Sequence, residues 1–341
     1  MGEKCFELNA GILSAASAVG KKESQGPLRG CFDYTDPTDR FGKKTWESSE
    51  SEMQRFAFNL ALGKVSLHDA DIGALFAGDL LNQCVGSAYG LLSFNIPYFG
   101  LYGACSTCAE SLLLSALLVS GGFCRAAGAV TSSHYCSAER QYRTPIEYGG
   151  QRAPTAQWTV TGAGAFVVGD PSIRQDAVRI TRGMPGIAHN SVISDSSNMG
   201  AAMAPSAVDT LLRFLRATGE EILSYDLIAT GDLGFEGGAL FRDLLYAEGV
   251  DLADRYADCG QLIYDRQRQD VHAGGSGCGC SAVVLASYLL PKLRAREYRR
   301  ILFMATGAMM SPDSVKQGES IPSIAHLLEL TCPDSGKEGG K

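Results

Sequence analysis

The apolar residues of this chain gather into runs that repeat one order. Asp71 to Leu80 (DIGALFAGDL) and Tyr225 to Leu233 (YDLIATGDL) each read as a buried strand ending in Gly-Asp-Leu. Each is followed by a Gly/Cys elbow that opens an apolar helix: Gly103-Ala104-Cys105-Ser106, then Ser276-Gly277-Cys278-Gly279. Beyond each helix a basic residue precedes another apolar strand, Arg125 before AAGAVTSS and Arg300 before ILFMATGA. A long internal period of this kind indicates duplication. It predicts two similar α/β halves, residues 1–170 and 171–341, with both elbows facing a shared seam.

The remaining pattern fills in around this repeat. Residues 8–19 read as a first strand and loop, and Gly20 to Leu28 as a turn-rich loop. Trp46 to Gly63 carries Met53, Phe56, Ala57, Leu60 and Ala61 on one stripe and predicts an amphipathic helix. Cys108 to Val119 is apolar nearly all round, as a buried helix would be. Tyr98–Leu101, Ala126–Ser132, Gly162–Gly169 and Ala177–Arg182 read as strands, with Asp170–Asp176 as the boundary between halves. Val208–Arg216 and Leu240–Glu248 read as helices, and His326 falls in an apolar stretch (SIAHLLEL) taken as helical. Ser133 to Thr161 is polar and irregular, and a loop of that length inside a compact domain is usually functional. Strands alternating with helices predict α/β layers with largely parallel sheets.

Composition narrows the classes. The chain has 341 residues with 45% hydrophobic and 20% charged content, a globular balance. A net charge of -7 argues against nucleic acid as a partner. The 11 cysteines form no regular framework and fit a reducing compartment. Cys105-x-x-Cys108 and Cys278-x-Cys280 each start a helix and lack a second close pair, so no metal is expected. No cofactor is expected either. No apolar run reaches the length of a membrane span.

Cys105 is the first chemical candidate. It follows a strand on a sharp turn at a helix N-terminus, where the helix dipole lowers a thiol pKa. It reads either as a nucleophile or as a small residue fitting a tight elbow. His134 ends the adjacent strand and His272 precedes the turn Gly274-Gly275-Ser276-Gly277, so both can reach the seam. That turn reads either as an anion cradle of backbone N–H groups or as a close-packing turn. Asp79 and Asp232 sit at equivalent strand ends, as ligand groups or as helix N-caps. Asn82 adds an amide beside Asp79. Arg140, Arg143 and Arg152, in the polar loop, suit carboxylate recognition or a solvated surface.

Several long segments carry a resemblance: AGDLLNQ (77–83), YGACSTCAES (102–111), TSSHYCSAERQYRTPIEYGGQ (131–151), DSSNMGAAMAPSA (195–207), DLIATGDLG (226–234) and VHAGGSGCGCSA (271–282). With them the chain resembles the thiolase fold of condensing enzymes and, more closely, the stage V sporulation protein AD family of endospore-forming Firmicutes. The resemblance implies duplicated α/β halves in a layered αβαβα arrangement. It implies binding of dipicolinic acid, or calcium dipicolinate, for uptake into the developing spore. It also implies peripheral association with the inner spore membrane through membrane proteins of the same sporulation operon. By analogy with thiolase-fold proteins, a homodimer is expected.

Active condensing enzymes pair the elbow Cys with a His at the second-half strand end and an Asn or second His on the next loop. This chain has Thr230 before Gly231-Asp232 at the first place and Gly275-Ser276-Gly277 at the second. Thr and Ser cannot take a proton near neutrality as His does. The expectation is a binding protein on a condensing-enzyme scaffold, with Cys105, His134, Arg140, Asp79, Asn82, Thr230, Asp232, His272, Gly275 and Ser276 as ligand contacts. Two rivals stay open: acyl transfer through Cys105, and a structural subunit with a vestigial pocket.

Overall fold

The computed structural model of the chain describes residues 4–142 and 152–333. Two sets of five strands follow the same plan. The first set is β1 (Phe6–Val19), β2 (Leu75–Gly78), β3 (Tyr98–Gly100), β4 (Ala126–Ser133) and β5 (Gly162–Gly169). The second is β6 (Val178–Met184), β7 (Leu227–Thr230), β8 (Tyr256–Asp258), β9 (Arg300–Ala308) and β10 (Pro322–Thr331). They form one continuous path, β8-β7-β9-β10-β6-β1-β5-β4-β2-β3, which reads the same from either end when β6–β10 are matched to β1–β5. The antiparallel pairing of β1 with β6 lies at the centre of this symmetry.

The sheet is less parallel than the pattern predicted. Pairing is parallel where β2 meets β3 and β4, and where β7 meets β8 and β9. The strands between are antiparallel, because β5 and β10 return beside the strands that precede them.

Helices sandwich each half. α1 (Trp46–Val65) and α2 (Val85–Leu91) cover the outer face of the first half, and α5 (Met199–Thr218) and α6 (Gly234–Ala247) that of the second. The two elbow helices, α3 (Thr107–Ser120) and α7 (Cys278–Val284), lie between the halves, giving five αβαβα layers. Strand alternation feeds these layers separately, since successive side chains point to opposite faces. In β5, Phe166 and Val168 enter the central core while Ala163, Ala165 and Val167 pack under α1. In β9, Ile301, Phe303 and Ala305 face the centre while Leu302 and Met304 pack under α5. Cys108, Leu112, Leu113 and Ala116 of α3 belong to the central core, as an all-apolar helix should.

Several elements differ from the pattern's expectation. The polar stretch after β4 is not one loop: α4 (Tyr135–Tyr142) forms within it, burying Ser137 and Ala138. Residues 143–151, including Arg143, lie outside the described residues. α5 starts nine residues before the expected Val208 and runs through Pro205; the Asn198 side chain accepts from Ala201 N, and Ala202, Met203 and Ala207 bury its face. α6 likewise begins at Gly234. His326 lies on β10, paired with Ala305, so its apolar neighbourhood reflects a strand buried on both faces.

Candidate functional site

The elbow that carries Cys105 is strained and pressed into the seam. Ala104 has φ 51°, a left-handed conformation uncommon outside glycine. A side chain at Gly307 would meet Gly103 O at 2.4 Å, so the glycine on β9 lets the first elbow rest against the second half. Cys105 is only 5% exposed and packs with Leu80, Ala138, Cys278 and the half-buried Tyr142.

One polar relay crosses the seam at this point. Cys105 Sγ lies 3.7 Å from Ser276 Oγ, and Ser276 Oγ donates to Asp232 Oδ2 at 2.9 Å. Ser276 has one proton, spent on Asp232, so the thiol is the donor to Ser276. Gly277 N also donates to Asp232 Oδ2 at 2.9 Å, and Thr306 Oγ1 donates to Oδ1 at 2.8 Å. The Gly-rich turn thus does cradle an anion, but the anion is the protein's own carboxylate. The turn is held in place by pairing of Gly275–Ser276 with Trp158–Thr159. Gln157 Nε2 adds bonds to Asp232 O at 2.6 Å and Gly275 O at 2.9 Å.

The electrostatics reverse one expectation. Burial pushes the Cys105 thiol well above its ordinary range, and the Asp232 charge adds to this; Ser276 and Gly277 offset it in part. Desolvation therefore outweighs the helix N-terminus, which was expected to lower the pKa. Asp232 is itself raised by burial, against the pull of Cys105 and its other donors.

The other expected residues do not converge on Cys105. His134 is fully buried, with Nε2 donating to Asp39 O at 2.8 Å and Nδ1 accepting from Cys136 N at 3.2 Å. Burial lowers its pKa, keeping the ring neutral. His272 bonds Ala153 O through Nδ1 at 2.7 Å and lies 2.9 Å from Asp270 Oδ1 through Nε2, in a surface cleft. Thr230 turns away from the relay: it donates to Asp258 Oδ2 at 2.7 Å and bonds Tyr256 OH at 2.8 Å. Asp79 accepts from Leu81 N, Ser87 N and Ser87 Oγ, so it fastens the first turn of α2 as a remote cap. Asn82 and Arg140 line a separate cleft of about 600 Å³, where Arg140 pairs with Glu47.

Comparison with known proteins adds the family. The profile described as stage V sporulation protein AD matches residues 3–331. The stage V sporulation protein AD of Bacillus subtilis (strain 168) is 43% identical over 321 residues, covering 94% of each chain. The chain belongs to the stage V sporulation protein AD family. Among solved structures, 3-oxoacyl-(acyl carrier protein) synthase III of Xanthomonas oryzae pv. oryzae superposes with TM-score 0.60 at 16% identity, covering 96% of this chain and 100% of that one. OleA of Xanthomonas campestris with cerulenin bound gives TM-score 0.60 at 16% identity, covering 95% and 97%. These likenesses show a thiolase-like fold. The chain is therefore a stage V sporulation protein AD family member, a sporulation protein built on that fold.

This member of the family also holds buried carboxyls that the pattern did not single out. Glu50 of α1 accepts from Ser132 Oγ at 2.8 Å and Ser137 Oγ at 2.7 Å, and burial together with the Asp79 charge pushes its pKa up. The available signal was its place on the buried stripe of α1 beside Met53, Gln54 and Ala57. Asp258 accepts from Leu233 N and Gly234 N at the start of α6, and burial raises it to about 7.

Proposed function

We propose that this protein binds dipicolinic acid, or its calcium chelate, and serves its uptake into the developing spore, using the condensing-enzyme scaffold without condensing chemistry. The observation that carries this reading is the Cys105–Ser276–Asp232 relay. A nucleophilic thiol needs a neighbouring group that removes its proton. Here burial and an adjacent carboxylate both oppose the thiolate, and the His134 and His272 rings bond Asp39 O and Ala153 O and not Cys105. Family membership supports the ligand, and small ligands of this size bind with modest affinity. Calorimetry of the purified protein with dipicolinate, with and without calcium, is expected to give a saturable heat. Absence of heat under both conditions overturns the reading.

A second reading is acyl transfer through Cys105. It is favoured by the strained elbow, which keeps the thiol at the head of α3 beside Asp232. Mass spectrometry after incubation with acyl-CoA separates the two. A stable acyl adduct on Cys105, with turnover lost in Cys105→Ala, supports the enzyme.

Membrane proteins of the same sporulation operon complete the proposal, holding the chain peripherally at the inner spore membrane. No helix among the described residues is long and apolar enough to cross a membrane. Recovery of the protein in the membrane fraction of sporulating cells, and its loss when those partners are deleted, tests this. A homodimer formed along the edge strand β3 is part of the same reading. Tyr89, Leu92 and Phe99 are exposed around that edge.

A further inference from the structure

α4 covers Cys105, and a buried carboxyl helps to hold it there. Ala138 and Tyr142 of α4 pack on Cys105 together with Leu80 and Cys278. Printed bonds fasten the helix at its end, its rim and its underside. Gln141 accepts from Asn82 N at 2.9 Å and donates to Leu80 O at 3.0 Å, which Tyr142 OH also reaches at 2.9 Å. Arg140 pairs with Glu47 at the exposed rim. Underneath, Ser137 Oγ donates to Glu50 Oε2 at 2.7 Å. Ser137 also lines the cleft of about 600 Å³, whose far wall includes exposed Asn82 and Gln83, so this last joint lies beside solvent.

Glu50 is one of two fully buried carboxyls joined by a directed chain of hydrogen bonds. Gln54 Nε2 donates to Ser132 Oγ at 2.6 Å and to Ser87 Oγ at 3.0 Å. Ser132 Oγ donates to Glu50 Oε1 at 2.8 Å, and Ser87 Oγ to Asp79 Oδ2 at 2.6 Å. A Cβ at Gly86 would lie 3.2 Å from Asp79 Oδ2 and 3.4 Å from Glu50 Cγ, so both side chains crowd one glycine. Two negative charges in such a space disfavour each other strongly. Asp79 has the donors to keep the charge, two backbone N–H groups and Ser87 Oγ. Glu50 keeps the proton, because burial and the Asp79 charge raise its pKa. Ser137 accommodates that proton, since its own hydrogen has a second acceptor in His134 O at 3.1 Å. Neutral Glu50 then donates to Ser137, and Ser137 donates to His134 O.

The titratable groups around the pair do not neutralise it. Burial raises the Cys278 thiol of α7 and the Tyr98 hydroxyl of β3, and pushes Cys84 up to about 11, so all three stay uncharged. Burial keeps His134 neutral. On the neighbouring turns of α1 and α4 stand Glu47, Glu139 and Arg140, and Arg140 is committed to Glu47.

We propose that α4 is a proton-latched lid over Cys105: it is shut while Glu50 holds its proton, and loss of that proton releases the helix and uncovers the thiol. Release lets solvent reach a carboxylate that burial otherwise opposes. A carboxyl raised in the closed form favours closure fully below its ordinary pKa, and that preference is lost as pH rises through the raised value. The device does not depend on which ligand the protein takes.

Hydrogen–deuterium exchange of the full chain from about pH 5 to about pH 8, corrected for intrinsic rates, reads the latch. α4 is expected to be less protected than β5, and its protection to fall by up to about tenfold per pH unit, the limit for one proton released on opening. Glu50→Gln stays neutral and keeps a donor for Ser137. In it the fall is expected to flatten, and Cys105 alkylation at about pH 8 to slow by the factor that α4 gains in protection. Ser137→Ala removes the latch bond and serves should Glu50→Gln fail to fold. It is expected to lower α4 protection at about pH 5 and leave β5 unchanged. Protection of α4 equal to that of β5 at every pH, a flat wild-type profile, a wild-type slope in Glu50→Gln or unchanged α4 protection in Ser137→Ala overturns the latch. Cys105 alkylation unaltered in Glu50→Gln while α4 gains protection overturns the lid.

Discussion

Asp232 decides the character of Cys105. Its carboxylate accepts the Ser276 proton, which makes the thiol a donor, and its charge raises the thiol pKa beyond what burial alone does. Asp232→Asn keeps the shape and one acceptor while removing the charge. The expected outcome is a Cys105 alkylation profile moved to lower pH, with the rate in mildly alkaline solution rising roughly tenfold for each unit the thiol pKa falls. Mass spectrometry of the Cys105 peptide reads this directly; an unmoved profile would show that desolvation alone governs the thiol. The sequence made Cys105, Ser276 and Asp232 legible as a group, because the repeated Gly-Asp-Leu and the two elbows bring them to one seam. It did not make the side-chain directions legible. Thr230 and Asp232 lie two apart along one strand end, and only bonds to Asp258 and to Ser276 tell which way each is committed. His134 was placed at the right strand end, but its ring bonds Asp39 O, a partner remote in sequence that no local pattern announces.

At the scale of elements, the fold depends on how closely the second elbow helix approaches the sheet. A side chain at Gly164 of β5 would meet Ala282 of α7 at 2.5 Å, and the Ala282 backbone at 2.7 Å. Because backbone cannot step aside as a flexible side chain can, Gly164→Ala is expected to destabilise by about 3 kcal/mol, the upper range for overpacking. Gly63, on the exposed side of α1 with nothing within 4 Å of an added Cβ, is the matched contrast. There Gly63→Ala is expected to stabilise by about 0.5–1 kcal/mol. Urea unfolding of both variants checks the pair; Gly164→Ala with wild-type stability would mean that α7 can move away. The apolar runs made most strands and the central helices legible, because burial on both faces leaves unbroken hydrophobic stretches. The same property misled at His326, since a strand buried on both sides and a buried helix share that signature. The start of α5 was missed for a different reason: the expected start at Val208 lies beyond Pro205, and the helix runs through that proline because Ala202, Met203 and Ala207 bury its face.

For the whole molecule, two properties follow from what the strands and helices enclose. Among the described residues β3 ends the sheet, with Phe99, Tyr89 and Leu92 exposed beside its outer edge, and such edges are templates for pairing with another chain. Light scattering of the purified protein is expected to give the mass of a dimer, with Phe99→Asp shifting it toward monomer; a monomer at high concentration would sink the dimer. The enclosed carboxyls set the second property. Glu23 is fully buried and raised to about 7 by desolvation, against an ordinary 4.5, although Tyr264 and Thr161 donate to it. Asp258 is raised to about 7 from 3.8 for the same reason. A carboxyl raised on folding keeps its proton in the folded chain at pH values where the unfolded chain has released it. Its contribution is therefore whole below the unfolded value and is lost as pH rises through the folded one. Each of these two groups is worth on the order of 3–4 kcal/mol across that window, at about 1.4 kcal/mol per pKa unit. His326 acts in the opposite direction: burial lowers it to about 4 from 6.5, so its contribution is lost as pH falls through that range. The protein should thus be most stable in mildly acidic solution and weaken toward about pH 8. In Glu23→Gln/Asp258→Asn, both side chains stay uncharged at every pH, so the decline from about pH 5 to about pH 8 should become shallower, with the raised carboxyls Glu50 and Asp232 supplying what remains of it. Urea unfolding across that range decides it, and parallel curves for wild type and the double variant would show that these carboxyls do not set the pH dependence.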